Sequence, residues 1–351
     1  MNVFERSPGR VLPPEKSTLV GFIPRRHVTE SIHVCSLHET QVWKDNPGKM
    51  DITVYTDSDP IDGFVNETLK LIMALFQKAV PSKYPAYKIN KLELTRNSTD
   101  GDLSRVMIDL NLTVDGLDYI ERFSEYIFAY HQNSRLEICR PLFFQWKRPV
   151  TLTYAFLTDC SRNDQPWGLY FIENTIELLQ RSLEVNMMVV ITACNEEQRR
   201  NYESRLRYSD IDRNAVVLLE KAYMKSQSLK YVLSLVENDT IVVVCDSTVR
   251  MPAGFSEEIR KHTFRTLMAY SPVPFQLECG HFPESTPLNG HWCPECAGVT
   301  AMYKEDWEQI LPGSYDNENE DIMEDKEKLL SHIKKTEMEI AQVKLKHLYR
   351  L

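Results

Sequence analysis

Residues 241–244 read Ile-Val-Val-Val and are closed by Cys245 and Asp246; no other stretch constrains the fold as strongly. Consecutive β-branched residues are stiff in a helix and pack well on a pleated surface, and an unbroken apolar run has no polar face to offer solvent. The run therefore predicts a strand buried on both faces, inside a sheet that is covered on both sides. Its abrupt end at Asp246 puts a carboxylate at the carboxyl end of the strand, where open α/β sheets collect ligands. A turn residue that merely ends a core strand is the alternative.

The flanking sequence agrees with such a sheet. Strand patterns at 150–157, 186–193, 214–220 and 240–245 alternate with helical patterns at 171–183, 196–208 and 226–236, which indicates a mostly parallel sheet. There is no Gly-rich loop of the Walker or GxGxxG type, so a nucleotide would have to be held another way. Before residue 150 the pattern differs. Apolar residues at 64, 65, 69, 72, 73, 76 and 80 make one helical stripe, stopped by Pro81 and Pro85. Segments 87–94 and 106–114 alternate as hairpin strands, 117–130 reads as a helix, and 140–149 is an aromatic, proline-punctuated connector. No acid, base or nucleophile cluster stands out in that part. The chain thus divides into a poorly packed lead-in (1–50), a small α+β unit with its connector (51–149), an α/β domain (150–321) and a C-terminal amphipathic helix (322–351), with apolar residues at 329, 330, 333, 340, 343 and 348.

Composition narrows the class of partner. With 351 residues the chain can bury a sizeable core, and 42% apolar residues fit a globular protein. A net charge of −9 argues against a sequence-independent nucleic-acid binder, which needs a basic excess. No apolar run reaches about eighteen residues, and residues 1–10 lack the apolar core of a signal peptide. Against this, the even count of eight cysteines and the sequons at Asn66, Asn97, Asn111 and Asn238 point to a luminal protein. A chain shortened at its N-terminus reconciles the two. The pair Cys279-Gly-His281 and Cys293-Pro-Glu-Cys296 leaves three readings open. They are four tetrahedral zinc ligands, as in a zinc-ribbon-bearing cytosolic interaction protein, one or two disulfides, or free thiols.

Four segments carry a resemblance: Cys245-Asp246-Ser247-Thr248, Pro252 to Phe255, Tyr270 to Gln276, and Tyr303 to Asp306. Together they are similar to the C-terminal glycosyltransferase domain of the chondroitin synthase (chondroitin N-acetylgalactosaminyltransferase) family over about residues 151–321. The altered Asp motif, the Phe-Gln of the proline strand and the tail most resemble its polymerising-factor subgroup. The resemblance implies a GT-A-like, Rossmann-type sheet that takes a UDP-sugar, UDP-GalNAc or UDP-glucuronate, with Mn²⁺ or another divalent metal bridging Asp246 and the diphosphate. It further implies a chondroitin oligosaccharide acceptor, a chondroitin synthase as hetero-oligomeric partner and residence in the Golgi lumen. Carboxylates at i and i+2 of an extended chain point the same way, which suits an Asp-x-Asp metal motif. Here Thr248 holds the second position, so one ligand charge is lost. That leaves open a catalytically inactive polymerising partner subunit. Lys225 or Lys230 is placed to hold the diphosphate, and Glu320 or Asp321 aligns with the base that activates the acceptor hydroxyl.

Overall fold

The computed structural model describes residues 31–36, 51–55, 59–79, 85–96, 103–114, 120–159, 185–192, 196, 197, 200, 204, 214–219, 225–246, 248–281, 283–284, 288–296, 298–311, 321–323 and 325–350. Strands β1 (Asp51–Tyr55), β2 (Pro85–Arg96), β3 (Leu103–Val114), β4 (Ile120–Gln132) and β5 (Arg135–Cys139) form an antiparallel meander in chain order. Helix α1 (Gly63–Ala79) lays Val65, Leu69, Ile72 and Phe76 on one face of it, in a core shared with Leu92, Val106, Ile108 and Phe123. The expected first helix and hairpin are therefore present.

The helix expected at 117–130 is instead the strand β4. Its Phe123, Ile127 and Ala129 join the core under α1, while Tyr126 and Phe128 face the core of the second sheet. A strand buried on both faces loses its apolar/polar alternation, and spacing of three and four residues between its apolar positions then imitates a helix.

The second sheet has the order β15-β11-β14-β9-β6-β7-β8. Its parallel half is β6 (Thr151–Asp159), β7 (Val185–Thr192), β8 (Asn214–Leu219) and β9 (Thr240–Cys245). Helix α2 (Lys225–Leu235) returns the chain from β8 to β9 and buries Leu229, Val232 and Leu233. Beyond β9 the sheet continues through β14 (Val299–Tyr303), antiparallel to it, then β11 (Met268–Tyr270) and β15 (Glu339–Ala341). This is the expected GT-A-like, mostly parallel α/β arrangement. The helix read at 171–183 lies outside the described residues; of the one at 196–208, Glu196, Glu197, Arg200 and Ser204 are helical. A third, four-stranded sheet runs β10 (Val249–Arg250), β16 (Lys344–Arg350), β12 (Val273–Leu277) and β13 (Gly290–Trp292).

The tail also departs from expectation. Only α5 (Lys326–Lys335) is helical, and the chain then supplies β15 and β16 to two sheets. A long bulge explains the misleading pattern: β12 advances from Val273 to Phe275 while β16 advances from Lys344 to Tyr349, with His347 at φ 68. The extra residues leave Leu345 and Leu348 three apart, as on a helix. Residues 322–351 are therefore part of the α/β architecture and not an appended helix.

The two sheets are joined by one continuous core, which includes Met107, Tyr126 and Phe128 with Tyr154, Phe264 and Tyr270. Around it lies a buried ionic network between the meander and helix α3 (Phe255–His262). Lys261 Nζ reaches Asp109 Oδ2 at 2.7 Å and Glu257 at 2.7 Å, and Tyr126 OH donates to the Lys261 carbonyl at 2.7 Å. His262 Nε2 lies 2.7 Å from Glu93 Oε2, and Lys91 pairs with both Glu93 and Glu258. Among the described residues, Glu93, Glu258 and His262 have the spacing of a metal site, but the Lys91 ammonium already supplies the positive charge. Burial works against the charge of Glu93, yet His262 and Lys91 outweigh it and hold its carboxyl well below the usual range. Asp109 is depressed likewise, burial being offset first by Arg122 and then by Lys261. The stability contributed by these two carboxylates is thus expected to be fully present above about pH 4, the unfolded value, and to be lost as pH drops below it. Urea unfolding between pH 6 and 3 checks this, with Asp109→Asn flattening the slope; a wild-type slope of zero would contradict it.

Candidate nucleotide-sugar site

Strand β9 delivers Asp246 to the carboxyl edge of the parallel half. The Asp246 amide donates to the Gly298 carbonyl at 2.8 Å, which fixes the chain as it leaves the sheet. Asp246 Oδ1 accepts from the Thr248 amide at 3.0 Å and from the Thr248 hydroxyl at 2.8 Å. The two motif positions come together, but Thr248 satisfies Asp246 and adds no charge of its own. These bonds use Oδ1 only.

Asp246 opens into a pocket whose walls come from β6 (Leu157), β9, β14, the first residue of α2 (Lys225) and helix α5 with the turn before it. Lys225 therefore lines the pocket as expected. Lys230 is not among its lining residues, because five positions along an α-helix turn a side chain about 140° away. Cys245 also borders the pocket, but burial above all, and then the Asp246 charge, push its thiol well up, which disfavours the thiolate.

Asp321 is buried, and its carboxylate accepts from the Ser226 amide at 3.3 Å and the Met323 amide at 3.0 Å. It anchors the first turn of α2 beside the pocket, which is where helix amides need acceptors. Glu320 lies outside the described residues. The alternative zinc set does not converge. Cys293 pairs with Cys296 in a disulfide, Cys279 is an exposed free thiol, and His281 Nε2 is 3.4 Å from Asn289 Nδ2. The cause is register: the Cys293 amide donates to Pro274, five residues from Cys279, or roughly 17 Å along an extended chain. A second disulfide joins Cys35 to Cys139.

Sequence reasoning missed Lys326. It is 4% exposed, lines the same pocket, and its Nζ has no hydrogen-bond partner among the described residues. Burial, then the nearby Arg350 charge, brings it down to about 8, with Glu295 acting the other way. A signal existed: Lys326 sits three and seven residues before Leu329 and Ile333, so it continues the apolar stripe of α5.

The segments that carried the family resemblance mostly build the frame. Gly254, at φ 76, is the left-handed N-cap of α3. Asp306, in α4 (Lys304–Ile310), takes the Thr266 amide on both oxygens at 3.1 Å, and burial pushes it up to about 6. Trp307 Nε1 donates to the Val242 carbonyl at 2.9 Å and so ties α4 beneath β9.

As to a metal, Asp246 is the one carboxylate among the described pocket-lining residues. Small hard divalent ions are held by one or two carboxylates together with substrate phosphates. Asp246 therefore fits a cation shared with a bound diphosphate, with half the protein charge of a paired motif.

A mostly parallel sheet with an acidic residue and two lysines around a cleft at its carboxyl edge fits a glycosyltransferase-family protein, the class to which the family match assigns the chain. More narrowly, the chain belongs to the chondroitin N-acetylgalactosaminyltransferase family, whose model matches residues 171–349. It is 23% identical over 290 residues, 76% of its length, to the mouse N-acetyl-beta-glucosaminyl-glycoprotein 4-beta-N-acetylgalactosaminyltransferase 1, and spans 27% of that protein. Among solved structures it is similar to the mannosyltransferase PcManGT of Pyrobaculum calidifontis in complex with GDP-Man and Mn²⁺, at 15% identity and TM-score 0.36, covering 47% of this chain and 48% of that one. It is also similar to GalNAc-T7 with UDP, GalNAc and Mn²⁺, at 14% identity and TM-score 0.38, covering 57% and 44%. Likeness at that level says nothing about ligand or reaction.

Proposed function

We propose that the chain binds UDP-GalNAc in the cleft at Asp246 and transfers GalNAc to the end of a growing glycan, chondroitin being the favoured acceptor. UDP-glucuronate is the second donor to test. The observation that carries this reading is the cleft itself, lined by Asp246, Lys225 and Lys326, in a member of a GalNAc-transferase family. In the transfer the acceptor hydroxyl oxygen attacks the anomeric carbon, the bond to the diphosphate breaks, and UDP leaves with the electron pair. The hydroxyl proton goes to a carboxylate, for which Glu320 is the candidate, since the Asp321 oxygens are engaged by amides. The lysines meet the charge that builds on the departing diphosphate. A divalent metal held by Asp246 would add to that neutralisation when bound.

One observation favours a second reading. With Thr248 bonded to the single pocket carboxylate, the site is short of metal ligands, as a non-catalytic partner of a chondroitin synthase would be. Both readings place the chain in the Golgi lumen. The two disulfides among the described residues suit an oxidising compartment, and the sequon residues Asn66 and Asn238 are exposed. Among the described residues no helix is long and apolar enough to cross a membrane.

Calorimetry of UDP-GalNAc and UDP-glucuronate with and without Mn²⁺, on wild type and Asp246→Ala, separates these readings. Transfer predicts binding of one donor that tightens with Mn²⁺, with the tightening lost in Asp246→Ala, and turnover on chondroitin oligosaccharides. Absence of any UDP-sugar binding by folded protein removes the transferase reading and leaves co-purification with a chondroitin synthase as the test of the partner.

A further inference from the structure

Resting on the nucleotide-sugar reading, we propose that Lys326 is the principal anchor of the donor's diphosphate, so that the nucleotide is held through its phosphates without any divalent metal. Three features of its setting are unfavourable to a lone ammonium. The side chain is buried with no acceptor among the described residues, and an unpaired buried charge is costly. It stands at the first residue of α5, next to the N-cap Asp325, where the helix dipole repels cations. Arg350, the last residue of β16, adds a second positive charge nearby.

Each of these costs reverses sign once an anion enters. A diphosphate in the cleft would meet the ammonium, the positive end of α5 and the field of Arg350, with Lys225 also lining the cleft. The cleft's own carboxylate, Asp246, opposes such an anion, and among the described residues its side chain takes hydrogen bonds from Thr248, which carries no charge. Lys225 and Lys326 outnumber Asp246, so the described lining of the metal-free cleft is net positive, with Glu295 near Lys326 partly offsetting Arg350. Where a paired Asp motif would recruit a cation to meet the diphosphate, this chain has lost one carboxylate at Thr248 and carries a buried lysine in the lining of the same cleft. The structure thus exchanges part of a metal's charge for a fixed one.

The test is calorimetry on the full chain with inorganic pyrophosphate, UDP and UDP-GalNAc, in EDTA and in Mn²⁺, comparing wild type with Lys326→Met, Lys326→Arg and Asp246→Asn. Thermal unfolding of each variant establishes that it is folded. Expected are pyrophosphate and UDP binding in EDTA, a loss of at least tenfold in Lys326→Met, and retention within a few-fold in Lys326→Arg. Asp246→Asn should keep the EDTA binding and lose only the gain from Mn²⁺. Binding that requires Mn²⁺, or that Lys326→Met leaves unchanged, overturns the proposal while the transferase reading stands. If pyrophosphate binds through Lys326 but no UDP compound binds more tightly, the anion site holds and the nucleotide-sugar reading falls. A folded chain that binds none of the three ligands overturns both.

Discussion

Lys326→Met is expected to make the folded protein more stable at pH 7, by roughly 3–4 kcal/mol, although it removes a charged group from a proposed ligand site. Its Nζ is buried without a partner among the described residues, and burial brings it down to about 8 from an ordinary value of 10.5. Each unit of such a shift corresponds to about 1.4 kcal/mol. The sign follows from proton counts. Between about pH 8 and 10.5 the unfolded chain holds the lysine proton and the folded one does not, so wild-type stability rises with pH across that window. Below pH 8 the full penalty applies, and the advantage of Lys326→Met is largest there; it fades towards pH 10.5. Methionine fills a comparable volume without a charge, so no cavity offsets the gain. Urea unfolding of both proteins at pH 7 and pH 10 reads the effect. A destabilised Lys326→Met at pH 7 would mean that the ammonium has an anionic partner in the folded chain. Stability given up at a ligand site is common, because ligand binding restores it.

Glu339→Ala is expected to cost roughly 3–4 kcal/mol, the range for stripping the partner from a buried ion pair. Arg105, on β3, is 2% exposed and forks onto Glu339 of β15, with contacts of 2.7 and 2.5 Å. Its guanidinium also lies over Phe144 at 4.8 Å, which contributes little beside an uncompensated charge. The pair fastens the tail to the meander, so the loss should appear as one cooperative shift in urea midpoint. A double change of Arg105 and Glu339 to Met and Leu should recover most of it, since two apolar groups replace two charges. An early, separate transition of the tail with an unchanged main midpoint would show that β15 is not part of the cooperative unit.

How far the fold was legible depends on where each segment's other face lies. The buried run 241–244, the alternation of strands and helices after residue 150, and the stripe of α1 all declare themselves locally. Each period reflects one apolar face, or two in the case of β9. Strand β4 was misread because α1 covers one face and the core of the second sheet covers the other. The tail was misread because a bulge around His347 breaks the period of two. Both errors depend on contacts with residues far away in the chain.

The site divides in the same way. Sequence alone determined that an acidic residue ends a buried strand, that its motif partner is a threonine, and that Lys225 and Lys230 both follow the strand at 214–220. Those facts are local, since strand direction and spacing follow from covalent geometry. Only the tertiary structure decided that Lys230 points away, that Asp321 anchors α2, that Cys279 is remote from Cys293, and that Lys326 enters the cleft. Lys326 is 80 residues from Asp246 in the numbering. What brings it there is the packing of α5 on the parallel sheet through Leu329 and Ile333, and burial of those side chains is a property of the whole core and not of any one segment.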